Sequence, residues 1–325
     1  METNTTNASH TDDASHNFPN KTLIILFLTA LSGIILLGTT GNGLVIWFVV
    51  FRMKKTVNSV WFLSLALADF TFCLSLILNA TYIALGYWPF GTFMCKLNLL
   101  ALHLNMSASV LQLTIISIDR CISVVFPVWC WNHRTPRLAI KVILAVWIVS
   151  LLINVPYFIK TDTFKYDELQ HCFINLSLEE AQVIIRFVVL FVIPFTIIFI
   201  CYTLILLHVR KSGKATSTKP FKVIISVIIS FFVCWFPFHV TLLIVYNGSY
   251  TLSNHLGFIP NIVVHVSFLM ACSNSCINPL LYVFVGQDLK EKFWITIKSG
   301  FERAFTEDIN QTYPKREINA PAHEM

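Results

Sequence analysis

Seven long apolar segments run through this chain and leave few folds open to it. Each is long enough to cross the hydrocarbon core of a bilayer as a helix, which takes about 20 residues. Backbone groups within lipid must be paired inside their own segment, so segments of this length must be helical. We call them spans 1 to 7, and they cover residues 22–51, 58–86, 94–126, 138–159, 181–209, 220–246 and 258–285.

The composition agrees with a membrane protein. Hydrophobic residues make up 56% of the chain and charged residues 12%, with a mean hydropathy of +0.70. A soluble domain carries about 25% charged residues. We therefore predict an all-α membrane protein, a seven-transmembrane helix bundle with a short amphipathic helix on the inner leaflet.

The Lys and Arg residues predict the orientation. Of the 23, 18 lie in the first, third and fifth loops and the C-terminal segment. The positive-inside bias then places the N-terminus outside and the C-terminus inside, as in a multi-pass plasma-membrane protein. The first 20 residues do not resemble a cleaved signal peptide. Glycosylation sequons fall on the predicted outer side at Asn4, Asn7, Asn20 and Asn175, and Asn79 and Asn247 would join them if they clear the bilayer.

The chain divides into four parts on this reading. Residues 1–21 form an extracellular glycosylated tail, 22–285 the bundle, 286–305 the membrane-surface helix and 306–325 a cytoplasmic tail. The surface helix is predicted from apolar residues that recur every four positions among Lys and Arg. These residues are Leu289, Phe293, Ile297, Phe301 and Phe305.

Two of the nine cysteines fall on the predicted outer side. Cys95 opens span 3 and Cys172 lies in the loop before span 5. The extracellular space is oxidising, so we predict a disulfide between them, and two free thiols is the alternative. No cysteine spacing matches a zinc site.

Polar residues interrupt the apolar spans, and such residues are functional candidates by default. A lone carboxylate at mid-bilayer, such as Asp69, is costly unless it is protonated, paired or bound to a cation. Carboxylate, hydroxyl and amide oxygens suit Na⁺. One interpretation is therefore a sodium pocket, and the other is a hydrogen-bonded polar core with Asp69 neutral. The pocket would be bounded by Asp69, Asn105, Ser109, Asn274 and Asn278.

Other membrane-protein classes fit less well. An odd number of spans argues against a transporter built from two equal halves, and no ring of acidic residues suggests an ion filter. Prolines interrupt four spans and predict bends in their helices, which favours a switching protein over simple packing irregularity. They are Pro156, Pro194, Pro237 and Pro279.

Short motifs in the expected spans and order give the chain a family resemblance. Residues 22–305 resemble the rhodopsin-like (class A) G-protein-coupled receptors. The matching words are Gly41-Asn42, "LALAD" ending at Asp69, "DRC" at 119–121, Trp147, Pro194 with Tyr202, "CWFP" at 234–237 and "NPLLY" at 278–282. The resemblance implies a receptor rather than an enzyme, with no cofactor beyond a possible Na⁺ and no nucleic-acid partner. It also implies an extracellular ligand and a heterotrimeric G protein as partners.

The resemblance assigns a switch to the pair Asp119-Arg120. Asp119 would hold Arg120 in the resting state, and on activation Arg120 would turn toward the G protein near Tyr202 and Tyr282. The family's usual third residue is Tyr, where this chain has Cys121. Many relatives carry an acid at the foot of span 6 that also clamps the Arg, but "STKPFK" has none. Arg120 is therefore expected to be loosely held.

The chain is most similar to the formyl-peptide and related chemoattractant receptors within that family. The words "YWPFGTFMCKL", "SIDRCISVVFPVW", "NHRTPR" and "KPFKVIISVIISFFVCWFPF" carry this likeness. It implies chemotaxis and coupling to an inhibitory G protein. The cytoplasmic tail has Thr306 and Thr312 as nearly its only hydroxyls. Arrestin is therefore a possible partner with few phosphorylation sites to read.

The resemblance also implies a ligand pocket that departs from the formyl-peptide pattern. His103 stands where those receptors have an acid, and Gln182 replaces the first of two arginines, so only Arg186 remains. One cation with apolar walls suits an acidic peptide or an acidic lipid mediator. The alternatives are that Arg186 snorkels to the headgroups and that His103 is a satisfied core histidine. The predicted pocket residues are His103, Gln182, Arg186, Trp235, Phe238 and His239.

Two other functions remain as alternatives. The first is a decoy or orphan receptor of the same fold that signals weakly. The second, of a different class, is a transporter or channel.

Overall fold

A computed structural model describes residues 21–166, 168–174, 180–212, 219–246 and 259–285. Within these ranges the side chains of Gln182 and Tyr282 are not described. Several predictions therefore lie outside the described part: the four predicted glycosylation sites, the helix at 286–305 and the tail at 306–325.

Seven helices long and apolar enough to span a membrane run through the described residues. The predicted seven-transmembrane bundle is confirmed, and every predicted boundary lies within three residues of the observed one. Spans 1 to 4 are the helices Lys21–Phe51, Val57–Leu85, Gly91–Val125 and Pro136–Lys160. Span 5 comprises Glu180–Phe187, Val188–Val192 and Ile193–Ser212, and spans 6 and 7 are Lys219–Tyr246 and Ile259–Val285.

Span 5 contains a π-helical turn at Val188–Val192. The N–H of Ile193 bonds the carbonyl of Val188, five residues back, instead of four. Pro194 follows directly and has no N–H to donate, and its ring would clash with a carbonyl in a regular α-helix. The wider turn accommodates the proline without ending the span.

Two N-caps fix where spans 2 and 4 begin. The Thr56 hydroxyl accepts from the N–H of Ser59, and the Ser59 hydroxyl accepts from the N–H of Thr56. At span 4 the Thr135 hydroxyl accepts from the N–H of Leu138, and Pro136 occupies the first helical position. These caps place Asn58 in the first turn of span 2 and Arg134 immediately before span 4.

Span 3 lies at the centre of the bundle and contacts spans 2, 4, 5 and 6. Its inward residues join a continuous apolar core with spans 2, 5 and 6. Many large apolar side chains elsewhere are exposed on the outside of the bundle, as expected of helices that face lipid. The central core includes Leu65, Met106, Val110, Leu113, Leu190, Phe231 and Trp235.

An antiparallel β-hairpin lies between spans 4 and 5 and was not predicted. Strand β1 is Thr161–Tyr166 and β2 is Leu169–Ile174, with Thr163 opposite Cys172. A short helix, Pro127–His133, joins spans 3 and 4 at the other end of the bundle. We call these two ends the hairpin end and the Arg120 end.

Candidate functional site

The guanidinium of Arg186 points into the bundle at the hairpin end. Its Cζ lies 4.5 Å from the centre of the Tyr157 ring, and Nη2 donates to Met106 Sδ at 3.7 Å. Arg186 therefore touches span 4 and span 3 from its place in span 5. Its Nη1 is buried and has no hydrogen-bond partner among the described residues. A buried guanidinium nitrogen without an acceptor is costly, so this geometry favours a bound anion.

His103 shares Tyr157 with Arg186. The two rings stack with centres 4.7 Å apart and planes inclined by 22°. His103 Nδ1 lies 2.7 Å from the Leu99 carbonyl oxygen, which can only accept, so Nδ1 carries the proton. In the neutral ring Nε2 is then an acceptor. The contact with Leu99 agrees with the satisfied-histidine alternative, although the ring still lies at the edge of the Arg186 site.

Aromatic residues of span 6 form the base of the same region. Trp235 is buried, and its ring meets Phe238 edge-on with centres 5.9 Å apart. His239 is buried between two rings of span 5, Phe187 at 5.6 Å and Phe191 at 5.2 Å. Trp235 Nε1 and His239 Nε2 have no hydrogen-bond partner among the described residues. The region thus combines apolar walls with unpaired polar atoms, as ligand pockets commonly do.

The hairpin is fastened over span 3 by the predicted disulfide. Cys95 and Cys172 are joined, with Cα atoms 5.7 Å apart. Thr92 and Thr163 share a hydroxyl–hydroxyl bond of 2.6 Å next to it. The disulfide holds the hairpin against span 3 at the same end of the bundle as Arg186. The seven other cysteines are free and buried.

Asp69 lies at the centre of a second polar group, midway along the bundle. It is fully buried, and its carboxylate accepts from Asn105 Nδ2 at 3.1 Å, Ser275 Oγ at 2.7 Å and Asn278 Nδ2 at 2.8 Å. Spans 2, 3 and 7 therefore meet at one carboxylate. Ser109 Oγ and both polar atoms of Asn274 are buried without a partner among the described residues.

The unpaired oxygens around Asp69 bear on the sodium interpretation. Asn105, Asn274 and Asn278 each hold a buried Oδ1 without a described partner, and Ser109 adds a hydroxyl. Buried polar atoms of this kind are normally satisfied by water or an ion. One carboxylate with neutral oxygens is a donor set that fits Na⁺. The described residues contain no cluster of three or more His, Cys, Asp or Glu side chains suited to a metal ion.

A third polar group lies at the Arg120 end. Arg120 Nη2 is 3.1 Å from Asp119 Oδ2, which is the contact that the sequence suggested. Arg134 takes both oxygens of the same carboxylate, with Nε 2.8 Å from Oδ1 and Nη2 3.0 Å from Oδ2. Asn58 Oδ1 accepts from Nη2 of Arg120 and also from Nη2 of Arg134 at 2.8 Å. Among the residues that the structure describes, Arg120 therefore has two partners, although the sequence of span 6 contains no acid.

Sequence reasoning missed four residues that the structure brings into these groups. Tyr157 follows Pro156 at the end of span 4, and nothing in the sequence singled it out. Ser275 lies in the polar run of span 7 but was not assigned to Asp69. Asn58 and Arg134 lie at or near the short connections between helices, and their contact partners are distant in sequence. Only the fold shows that these residues meet.

Comparison with known proteins is consistent with this geometry. The family described as "7 transmembrane receptor (rhodopsin family)" matches residues 41–282. The chain is 39% identical to N-formyl peptide receptor 2 of Homo sapiens over 335 aligned positions, which cover 96% of this chain and 95% of that protein. It is 41% identical to chemerin-like receptor 1 of Bos taurus over 318 positions, covering 89% and 85%. It is 38% identical to formyl peptide receptor-related sequence 1 of Mus musculus over 314 positions, covering 89% and 88%.

Proposed function

The chain belongs to the rhodopsin family of seven-transmembrane, G-protein-coupled receptors, and we propose that it is a cell-surface receptor for an acidic chemoattractant ligand. On this proposal the ligand is a peptide or a lipid mediator that carries a carboxylate, and the partner is an inhibitory-class heterotrimeric G protein. The relatives named for formyl peptides and chemerin support a chemoattractant.

The observation that carries the ligand proposal is the unpaired Nη1 of Arg186. A snorkelling Arg186 would extend toward the headgroups, whereas this guanidinium contacts Tyr157 and Met106 inside the bundle. No described acid lies within ion-pair distance of it. A ligand carboxylate would supply the missing anion, and charge-assisted hydrogen bonds are among the stronger polar contacts.

We assign the remaining pocket residues supporting roles. Trp235, Phe238 and His239 would contact the apolar body of the ligand, and His103 would border its acidic end. Gln182 lies one turn before Arg186 and would line the same side of span 5. Gln182 occupies the position at which a second arginine could bind the same ligand anion. We therefore expect a single cation to bind that anion.

The hairpin end is extracellular on this proposal. The disulfide at that end suits an oxidising space, and the excess of Lys and Arg in the loops of the other end supports the same orientation. The glycosylation sites Asn4, Asn7, Asn20 and Asn175 would then face outward. Asn79 is a weaker candidate, since its amide pairs with that of Asn98 inside the bundle at 3.1 Å.

The Asp69 group would bind Na⁺ in the resting receptor. The ligands would be Asp69, Ser109 and the amide oxygens of Asn105, Asn274 and Asn278, which hold the unpaired atoms described above. An ion there would tie spans 2, 3 and 7 together. A ligand that stabilises one arrangement of the spans shifts the population toward it, so Na⁺ would oppose an agonist that favours the other.

Signal transfer would run through Asp119 and Arg120. Agonist binding beside Trp235 would move span 6 at Pro237 and open the Arg120 end. Arg120 would then leave Asp119 and turn to the G protein, with Tyr202 and Tyr282 nearby. Tyr202 already packs against the central core and against the apolar cluster of Cys121, Cys201 and Ile205.

A paired ligand screen tests the proposed function. The full chain is reconstituted with a purified inhibitory heterotrimer and exposed to peptides and lipids bearing a free carboxylate, each beside its methyl ester. We expect nucleotide exchange to rise with some of the acids and much less with their esters. Binding of an acid without any exchange would instead favour the decoy receptor, and binding that prefers esters would overturn the ligand assignment.

A further inference from the structure

We propose that Asn58 and Arg134 are positioning residues that set how firmly Arg120 is held at rest. Asn58 retains Arg120, and Arg134 weakens the grip of Asp119 on it. The inference rests on the proposed role of Arg120 in activating the G protein. On this proposal, contacts that lie outside span 6 set the basal signalling level of the receptor.

Arg134 is the better placed of the two cations that share Asp119. It meets both carboxylate oxygens, at 2.8 and 3.0 Å, in the bidentate geometry that guanidinium and carboxylate groups favour. Arg120 reaches only Oδ2, at 3.1 Å. The Asp119 carboxylate therefore accepts from two guanidinium groups, and its contact with Arg120 is the weaker of the two.

The two guanidinium groups also repel each other. Both Nη2 atoms donate to the single oxygen Oδ1 of Asn58, so they lie within two hydrogen-bond lengths of one another. Two cations and one anion leave this group with a net positive charge among the described residues. The three charged side chains are only 13%, 14% and 24% exposed for Arg120, Asp119 and Arg134, so solvent screens this repulsion only in part.

Asn58 is the element that keeps Arg120 in place despite that repulsion. Its amide oxygen is a neutral acceptor on the first turn of span 2, outside the loop that carries Arg134. Arg120 Nε is buried without a partner among the described residues, so Nη2 makes the contacts that restrain this side chain. Loss of the Asn58 oxygen would leave Arg120 with a single, shared acceptor.

The arrangement predicts effects of opposite sign for the two residues. Asn58→Ala should free Arg120 and raise basal exchange by about three- to tenfold, the scale expected for the net contribution of one typical hydrogen bond. Asn58→Asp adds a second anion and should lower basal exchange. Arg134→Gln removes the repulsion, returns Asp119 to Arg120 and should lower it as well.

The test measures binding of a non-hydrolysable GTP analogue to a purified inhibitory heterotrimer, driven by the full-length receptor in lipid vesicles without added ligand. Arg134→Gln is measured alone and also in the Asn58→Ala background, where the raised rate makes a decrease easy to see. Arg137→Ala is the matched control, because Arg137 is an exposed arginine three residues along the chain and lies outside the group. We expect it to match the wild type.

The outcomes separate this inference from the proposed switch. A rise with Asn58→Ala and a fall with both Asn58→Asp and Arg134→Gln support it. An unchanged rate with Asn58→Ala, or a rise with Arg134→Gln, overturns it. Arg120→Ala is run in parallel: if it leaves exchange intact, the switch itself is wrong. If Arg120→Ala silences exchange while both Asn58 variants behave as wild type, only the positioning roles fail.

Discussion

Arg186 and Tyr157 form a cation–π contact across the bundle, with the guanidinium carbon 4.5 Å from the ring centre. The same ring stacks on His103, so one aromatic side chain of span 4 aligns a residue of span 5 and a residue of span 3. A cation in this position contributes about 0.5–2 kcal/mol, depending on its desolvation. Tyr157 therefore holds the guanidinium in the position where we propose that a ligand anion binds.

Removing the Tyr157 ring should weaken the binding of an acidic agonist. In Tyr157→Leu the guanidinium loses its aromatic support, and we expect a roughly three- to thirtyfold loss of affinity in competition binding. Tyr157→Phe keeps the ring and is the matched control, with affinity near that of the wild type. If both variants lose affinity equally, the hydroxyl and not the ring is what matters.

Sodium should oppose the agonist if the Asp69 group binds it. We expect agonist affinity to rise roughly fivefold or more when Na⁺ is replaced by a bulky organic cation at constant ionic strength. Asp69→Asn and Ser109→Ala should each reduce that response, since each removes an oxygen ligand or its charge. An affinity that ignores Na⁺ in the wild type would support the neutral polar core instead.

The disulfide should be required for a formed ligand entrance. Cys172→Ala releases the hairpin from span 3, and we expect surface expression and agonist binding to fall to background. The double variant Cys95→Ala/Cys172→Ala should be no worse, because one bond is lost in either case. Cys130→Ala removes a free buried cysteine and serves as the control. Wild-type binding by Cys172→Ala would contradict this role of the hairpin.

Arg120 should be needed for exchange and not for binding. Arg120→Ala is expected to retain agonist affinity within a few-fold and to lose stimulated nucleotide exchange, measured on the same preparation. In cells, pertussis toxin should silence the response of the wild type. A response that survives the toxin would exclude inhibitory coupling, and exchange that survives in Arg120→Ala would exclude the switch.

The sequence was sufficient for the bundle because its signal is long and local. An apolar helix must satisfy its own backbone in lipid, so each span could be bounded to within three residues from composition alone. The hairpin has no such long, local signal, and it was therefore not predicted. Thr161–Tyr166 and Leu169–Ile174 are short and show no sustained apolar pattern, and their pairing depends on the disulfide and on span 3 beside them.

At the Arg120 end, side-chain partners were predicted only where one family motif names both. Asp119 and Arg120 are adjacent in a recognised motif, whereas Arg134 lies 15 positions from Asp119 and Asn58 lies 62 positions from Arg120. These more distant pairs meet only in the folded bundle. Tyr157 shows the same limit in the pocket. Its contact with Arg186 depends on how spans 4 and 5 pack, and no periodicity within either span encodes that relation.

The proposed function depends most on contact between a ligand carboxylate and Arg186, and a double comparison of affinities tests this contact directly. Wild type and Arg186→Ala are each measured with an acidic agonist and with its methyl ester. A hydrogen bond to a charged group contributes about 1.5–3 kcal/mol, so Arg186→Ala should weaken binding of the acidic agonist about ten- to a hundredfold. Esterification should lower the affinity of the agonist for the wild type by a similar factor. It should have little further effect on the affinity for the variant. Equal losses on esterification in the two proteins would show that Arg186 does not meet the carboxylate.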